Sequence, residues 1–284
     1  MTPARLAAVA LPDFGVAARE PVLPAGLYQQ RLARMRERMD RHGYDRVIVY
    51  ADREHSANIS FLTGFDPRFE EALLVVSRDD VAILVGNENW GTAGAAAVEM
   101  RRHLFQDFSL PSQPRDKSFS LVEILSSEGV APGSRIGLIG WKAYSEPWMS
   151  DAPAYLVDTL RGLAGPENVV NATPLLNDAQ DGLRVVNEPE QIAYIEWAAC
   201  HVSEGVKRLI RELRPGVTEH EAVSLLRWNG TPLSCHLMLT AGPRAKFGLL
   251  SPSDRPIART DMFTTAYGIW GALTCRAGFV VEEA

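Results

Sequence analysis

The chain has 284 residues, 46% hydrophobic and 23% charged, a balance that excludes a disordered chain and suits one large domain or two ordinary ones. Its formal net charge of −6 gains nothing from a polyanion, so nucleic-acid binding is not expected. The three cysteines, Cys200, Cys235 and Cys275, are odd in number and widely spaced, which argues against a disulfide framework or a zinc knuckle and fits a reducing, cytoplasmic compartment.

Near the N-terminus, Pro12 and Asp13 interrupt the apolar stretch too early for a secretion signal. No apolar run approaches the eighteen or so residues that span a bilayer, so no membrane is expected. The N-x-[ST] matches at Asn58, Asn171 and Asn229 are therefore read as chance.

Residues 27–42 read as a helix whose apolar side chains Tyr28, Leu32, Met35 and Met39 form one stripe. Its arginines through Arg46 alternate with Glu37, Asp40 and Asp45, the pattern of a solvated mixed-charge face rather than a nucleic-acid patch. Gly43 ends the helix, and 47–50 is a short buried-strand run. Strands over 73–76 and 81–85, split by the turn-like residues 77–80, give a hairpin signal. Helices follow over 94–100, 119–127 and 154–163, with a strand over 135–139. Strands alternating with helices at this spacing predict a largely parallel or mixed sheet with helices on its faces. There is no G-x-G-x-x-G after a strand and no G-x-x-x-x-G-K-[ST], so neither loop supports nucleotide binding.

Residues 165–182 are turn-rich, and a domain boundary is placed near their end. Asn187 and Glu190 read as a helix cap and its partner, with Pro189 in the first turn. Ile192, Ile195, Ala199, Val202, Val206, Leu209 and Leu213 then mark a long helix with one buried face, each large aliphatic contributing about 1.5–3 kcal/mol when fully buried. Pro215 and Gly216 stop it. Thr218 and Glu221 cap a second helix carrying Ala222, Leu225 and Leu226. Strands are expected over 237–240, 261–269 and 272–281, with Gly268 and Gly271 flanking the last turn. His236 lies beside Cys235 on a strand, where neighbours point to opposite faces; the two cannot form a thiol–imidazole pair, and a buried cysteine with a hydrogen-bonded histidine is the preferred reading.

Three stretches carry a resemblance. His55-Ser56-Ala57-Asn58-Ile59, running into Phe61-Leu62-Thr63-Gly64-Phe65, is similar to "h-x-a-n-i-x-y-l-t-G-f". Leu183-Arg184-Val185-Val186-Asn187-Glu188-Pro189-Glu190-Gln191-Ile192 is similar to "l-R-x-v-K-s-p-x-E-i", and Leu213-Arg214-Pro215-Gly216-Val217-Thr218-Glu219 to "l-x-p-G-x-t-E". In this order they resemble the creatinase, prolidase and aminopeptidase P family over residues 27–281. The resemblance implies an N-terminal extension over 1–26, a creatinase-type α/β domain with a mixed sheet over 27–182, and the first half of an α+β pita-bread domain over 183–284, which is incomplete as given.

The family's metallopeptidases hold two divalent metals, with two aspartates from this first half of the domain and a histidine and two glutamates from the second. The aspartate positions here read Ala266 and Leu273, and neither side chain can coordinate a hard cation, so no cofactor is predicted for this chain. Asp261 resembles the structural aspartate of a "G-D" turn, with Thr260 in place of the glycine. The histidine of creatinase-like, metal-free members falls near Leu249, where no base stands.

As substrate-binding candidates the resemblance offers Phe65 and Arg68, like a phenylalanine and arginine that in creatinase-like relatives reach the partner subunit's pocket; an arginine fork suits a carboxylate. It adds His236, on a strand bordering the pocket, and Arg276, with Trp270 and Tyr267 lining the same cavity. The equal alternative for Arg68 is a surface loop paired with Glu70 or Glu71. The implied function is hydrolysis of a C–N bond in a small peptide-like or amidino substrate by a homodimer; the alternative is a non-catalytic binding module that has lost its metal site.

Overall fold

A computed structural model describes residues 10–13, 15–67, 69–117 and 119–281. The chain forms two compact units, Pro24–Asn187 and a second that joins residues up to Leu23 with Glu188 onward.

In the first unit, α1 (Ala25–His42) buries the expected stripe of Tyr28, Leu32, Met35 and Met39 together with Leu27. Gly43 ends it at φ 69°, so its own N–H reaches Asp40 and that of Tyr44 reaches Met39, closing off carbonyls the helix leaves open. The mixed-charge reading of this helix needs one correction. Arg31 is only 1% exposed; its guanidinium lies 4.0 Å from the Phe61 ring centre and donates to the Phe61 carbonyl. Its position one turn before Met35 puts it on the buried stripe, where an aromatic face and a carbonyl replace water. Arg38 and Arg41, on the outer face, pair with Asp181.

Chain order then gives β1 (Arg46–Ala51), α2 (Ala57–Thr63), β2 (Ala72–Val76), β3 (Val81–Val85), α3 (Asn89–Thr92), β4 (Arg101–Leu104), α4 (Leu121–Ser127), β5 (Ile136–Ile139), α5 (Ala154–Ala164), β6 (Val169–Asn171) and α6 (Pro174–Asn177). The sheet order is β4-β3-β2-β1-β5-β6. β2 runs antiparallel to both neighbours and every other pairing is parallel, so the sheet is mixed. Strands β1, β2, β3 and β5 are buried almost throughout, as a sheet covered on both faces requires. α4 and α5 cover one face through Leu121, Ile124, Leu125, Leu156 and Leu160, against Ile48, Leu73, Leu84, Ile136 and Leu138. α2 packs against β1 and against α1.

The helix expected over 94–100 does not form. α3 and one 3-10 turn, Ala93–Ala95, stand earlier, and residues from Arg101 join β3 as an edge strand. The segment is mostly alanine and glycine, with too little apolar bulk to bury a helical face, so it stays irregular up to the start of β4. Asn58, one of the three N-x-[ST] matches, is buried and donates 2.6 Å to the Gly140 carbonyl.

The second unit contains α7 (Pro189–Glu212), α8 (Glu219–Ser224), β7 (Met238–Ala241), β8 (Met262–Ile269) and β9 (Ala272–Phe279). β7, β8 and β9 form an antiparallel sheet in that order. α7 buries Trp197, Ala198, Val202, Gly205, Val206 and Leu209 against it. The buried face is therefore shorter than the spacing predicted: Ile192 is 54% exposed, and Ile195 and Ala199 are half-buried. Gly271, in the β8–β9 turn, lies against Tyr194 and Ala198, so the first turn of α7 extends past the end of the sheet. The N-cap is Glu188, whose side chain does not cap the helix, and Asn187 stands outside the helix. α8 does carry the expected reciprocal cap of Thr218 and Glu221. The β8–β9 turn is Trp270–Gly271, with Gly271 at φ 92°; Gly268 sits inside the strand opposite Leu273, rather than flanking the turn.

Glu128, at the end of α4, is the most concentrated charge contact in the first unit. Arg101 donates to both its oxygens at 2.8 and 2.7 Å, and His103 Nε2 lies 2.5 Å from one of them. The Arg101 bonds, set against burial and assisted by His103, hold its carboxyl below the usual range. A depressed folded pKa means stability present above the unfolded value, about 4.3, and lost as pH falls through the folded one. Glu128→Gln is expected to lower unfolding stability at pH 7 by about 1.5–3 kcal/mol. In denaturant titrations from pH 7 to pH 3 the difference from the native chain should shrink as the native carboxylate protonates.

Candidate functional site

The register of β7, β8 and β9 decides what this sheet can do. Residues directly opposite one another share a face. Ala266 stands opposite Met238 and Cys275, Gly268 opposite Leu273, and Thr264 opposite Thr240 and Ala277. One face thus carries Met238, Thr240, Thr264, Ala266, Leu273 and Cys275, and the Thr240 and Thr264 hydroxyls bond across it at 2.9 Å. The other face carries Leu239, Phe263, Tyr267 and Ile269 toward α7. Gly205 makes this approach possible: a Cβ there would stand 2.9 Å from the Tyr267 ring and 3.0 Å from the Leu226 carbonyl.

Within the second unit, the groove beside Arg276 is not lined by Tyr267 or Trp270. Arg276 pairs with Thr265, which puts it on the α7 side of the sheet, opposite to Ala266 and Leu273. It is exposed, and its guanidinium folds onto its own strand, donating to Thr274 Oγ1 at 2.9 Å and to the Cys275 carbonyl at 2.7 Å. With Ile210, Leu213, Phe263 and Val280 it borders a shallow groove of about 230 Å³. Tyr267 is buried against α7, which pushes its phenol up, and Trp270 stands half-buried in the hairpin turn. The register puts Arg276 and Tyr267 on the same side of the sheet, but Tyr267 is packed under α7 while Arg276 stands at the exposed groove, and Trp270 lies in the turn.

His236 is exposed and lies two residues before β7, in an irregular stretch rather than on the strand. Burial pushes the neighbouring Cys235 thiol up despite its Ser234 contact, so no thiolate nucleophile is prepared there. Phe65 is a core residue of the first unit: its N–H donates to Thr63 Oγ1 and its carbonyl accepts from Ser60 Oγ. Arg68 lies outside the described residues. Leu249 is exposed in a loop.

Two residues near the sheet matter more than the sequence signalled. Glu219, the last residue of the third motif, is 0% exposed. Its carboxylate accepts the N–H of Ala241 at 2.8 Å and the N–H and hydroxyl of Ser253 at 2.9 and 2.7 Å, with Arg244 Nε at 3.5 Å. It therefore ties α8 to the end of β7 and to the loop before β8. Its acidic character was legible in the sequence; its partners are not local, so its role was not. Asp261 accepts from Arg255 at 2.8 Å and from the Ala258 N–H at 2.9 Å, and the arginine bond holds its carboxyl below the usual range. It closes the turn that starts β8. Thr260, the residue before it, has φ 65°. That is the left-handed region, where a β-branched residue is strained and a glycine is not.

The fold family implies two divalent metals, and the residues present do not fit them. The two positions that the resemblance assigns to metal ligands carry a methyl group and an isobutyl group, with Ala266 6% and Leu273 56% exposed. Their cross-strand neighbours are Met238, Cys275 and Gly268, and no group of three or more His, Cys, Asp or Glu side chains comes together among the described residues. A hard cation finds no oxygen donor at either position.

The family described as Creatinase/Prolidase N-terminal domain matches residues 31–179. An uncharacterized hydrolase/peptidase, y4tM, of Sinorhizobium fredii is 25% identical over 239 residues, covering 81% of this chain and 57% of its own length. Among solved structures, the prolidase from Pyrococcus horikoshii OT3 superposes with a TM-score of 0.66 at 16% identity, covering 90% of this chain and 66% of that one. The X-Pro aminopeptidase from Thermotoga maritima MSB8 gives 0.67 at 14% identity, covering 89% and 66%. The chain therefore spans just over half of the curated relative and about two thirds of these structures. With the mixed sheet and the α7-backed hairpin, the fold is an α/β N-terminal domain followed by part of a pita-bread domain.

Thr260→Gly should raise the stability of the second unit. Relief of left-handed strain, about 1–2 kcal/mol, exceeds the added chain entropy of glycine, about 0.5–1 kcal/mol, and thermal melts would read the gain. Glu219→Gln should act in the opposite direction, by about 1.5–3 kcal/mol in denaturant titration, because the buried N–H donors lose a charged acceptor.

Proposed function

The chain belongs to the creatinase/prolidase family, and from that premise we propose that it binds a small peptide-like or amidino substrate of the family's kind without a divalent metal at the Ala266 and Leu273 positions. One observation carries this reading. The β8–β9 hairpin presents both positions on one face, and both carry alkyl side chains. On that face the exposed Leu273 and the half-buried Thr264 can meet a substrate's apolar and hydroxyl-bonding parts, while Met238 and Thr240 are buried.

A second reading is favoured by the coverage of the relatives. In it the protein is a divergent Xaa-Pro aminopeptidase-like or creatinase-like hydrolase of C–N bonds. The part of the solved structures that this chain does not match would then correspond to residues supplying an acid and a base. A homodimer in a reducing, cytoplasmic compartment accompanies both readings, in keeping with the family and with three cysteines outside any disulfide. No helix among the described residues is long and apolar enough to cross a membrane.

Calorimetric titration with an Xaa-Pro dipeptide, in the presence and absence of EDTA, tests the first reading. Binding of equal affinity in both conditions is expected, with no release of proline on adding Mn²⁺ or Co²⁺. Metal-dependent release of proline would overturn it.

A further inference from the structure

β1 and β5 lie side by side in parallel in the first unit, with Val49 opposite Ile139. The chain leaving β1 goes to α2 and then to β2 on the other side, so the carboxyl ends of β1 and β5 flank a point where the winding of the sheet diverges. In open α/β sheets such points are where ligands bind.

The loop after β5 is fixed with unusual thoroughness for a surface segment. Gly140 donates to Thr173 Oγ1 and its carbonyl accepts from Asn58. The N–H groups of Trp141 and Lys142 both donate to Asp151, at 2.7 and 3.2 Å. Asn171 reaches the Lys142 carbonyl. These bonds hold the backbone and leave the aromatic side chains outward: Trp141 is 49% exposed. Burial of the rings does not account for the loop's conformation, because the rings are only partly buried.

One side of the indole is buttressed. His55, from the loop after β1, stacks on Trp141 at 4.7 Å between centres and 18° between planes. Asp52 fixes that ring by facing its Nδ1 with both oxygens, at 3.0 and 3.1 Å. The ammonium of Lys142 lies 4.8 Å from the Trp141 ring centre and 5.0 Å from that of Tyr144. Among the described residues no carboxylate pairs with it. The molecule thus holds a cation between two aromatic rings with the ring faces as its partners, and the cation is its own.

We propose that Trp141 and Tyr144 form an aromatic cage for a small organic ammonium ion, with the ammonium of Lys142 as its stand-in when no ligand is bound. The ring quadrupoles attract a cation whose charge is poorly hydrated more effectively than a primary ammonium, which water solvates well. Lys142 sits on a flexible, exposed stem, so a ligand displaces it readily. The His55 buttress and the Asp151 clamp keep the cage in shape before the ligand arrives, which reduces the ordering lost on binding. This subsite lies wholly within the first unit, and the proposal does not depend on the function proposed for the β7–β8–β9 face.

Tetramethylammonium chloride, titrated calorimetrically into the full chain against sodium chloride of equal ionic strength, tests the cage. Saturable binding is expected with the ammonium salt alone. Lys142→Ala should tighten it about two- to fivefold by removing the competing cation, and Trp141→Ala should abolish it. Circular dichroism should find the Trp141→Ala fold unchanged, since the loop is held by its backbone bonds; Tyr144→Leu, which should weaken binding, provides an independent variant. No saturable binding to the native chain, binding unchanged by Trp141→Ala, or an affinity unmoved by Lys142→Ala would each overturn the proposal.

Discussion

A buried carboxylate must be met by donors, and in this protein the donors are mostly backbone N–H groups at the ends of strands. Glu70 accepts from Glu88 and Asn89 and fixes the start of α3. Asp151 accepts from Trp141 and Lys142, Glu219 from Ala241 and Ser253, and Asp261 from Ala258. Each acidic side chain replaces water for segments that regular structure leaves unpaired. The loops that carry candidate function in both units are shaped by this one kind of contact.

In the second unit the same constraint holds a hairpin whose chemistry differs from its geometry. The antiparallel register puts Ala266 and Leu273 on one face and Arg276 on the other, and period-two alternation allows no compromise. A substitution that exchanges a carboxylate for an alkyl group leaves the ladder intact, because backbone pairing does not consult the side chain. Likeness of fold therefore does not by itself supply metal chemistry.

Much of the architecture was legible in the residues. The α1 stripe, the β2–β3 hairpin, the Thr218–Glu221 cap and the β8 and β9 strands follow from local periodicity, turn chemistry and capping, which act over a few residues. The misreadings have a common origin. The helix expected over 94–100 is instead a 3-10 turn and an irregular stretch leading into β4, whose partner lies some twenty residues away in β3. The buried face of α7 was overextended because periodicity does not report where the opposing sheet ends. Arg31 reads as one of several solvated arginines until Phe61 is placed against it. The candidate site was less legible than the fold, because packing and register rather than motif place its residues: Phe65 lies in the core of the first unit, His236 precedes its strand, and Arg276 faces α7.

The sequence by itself determined the local elements, the family and the alkyl character of Ala266 and Leu273, since residue identity decides whether a side chain can ligate a cation. Only the tertiary structure decided that Ala266, Leu273 and Cys275 share a face, that Glu219 holds two distant segments together, and that Trp141 meets His55 and Lys142. The physical reason is range. Propensity, capping and alternation are properties of neighbouring residues, whereas register and the satisfaction of buried polar groups join residues tens of positions apart, and nothing in a local pattern specifies that pairing.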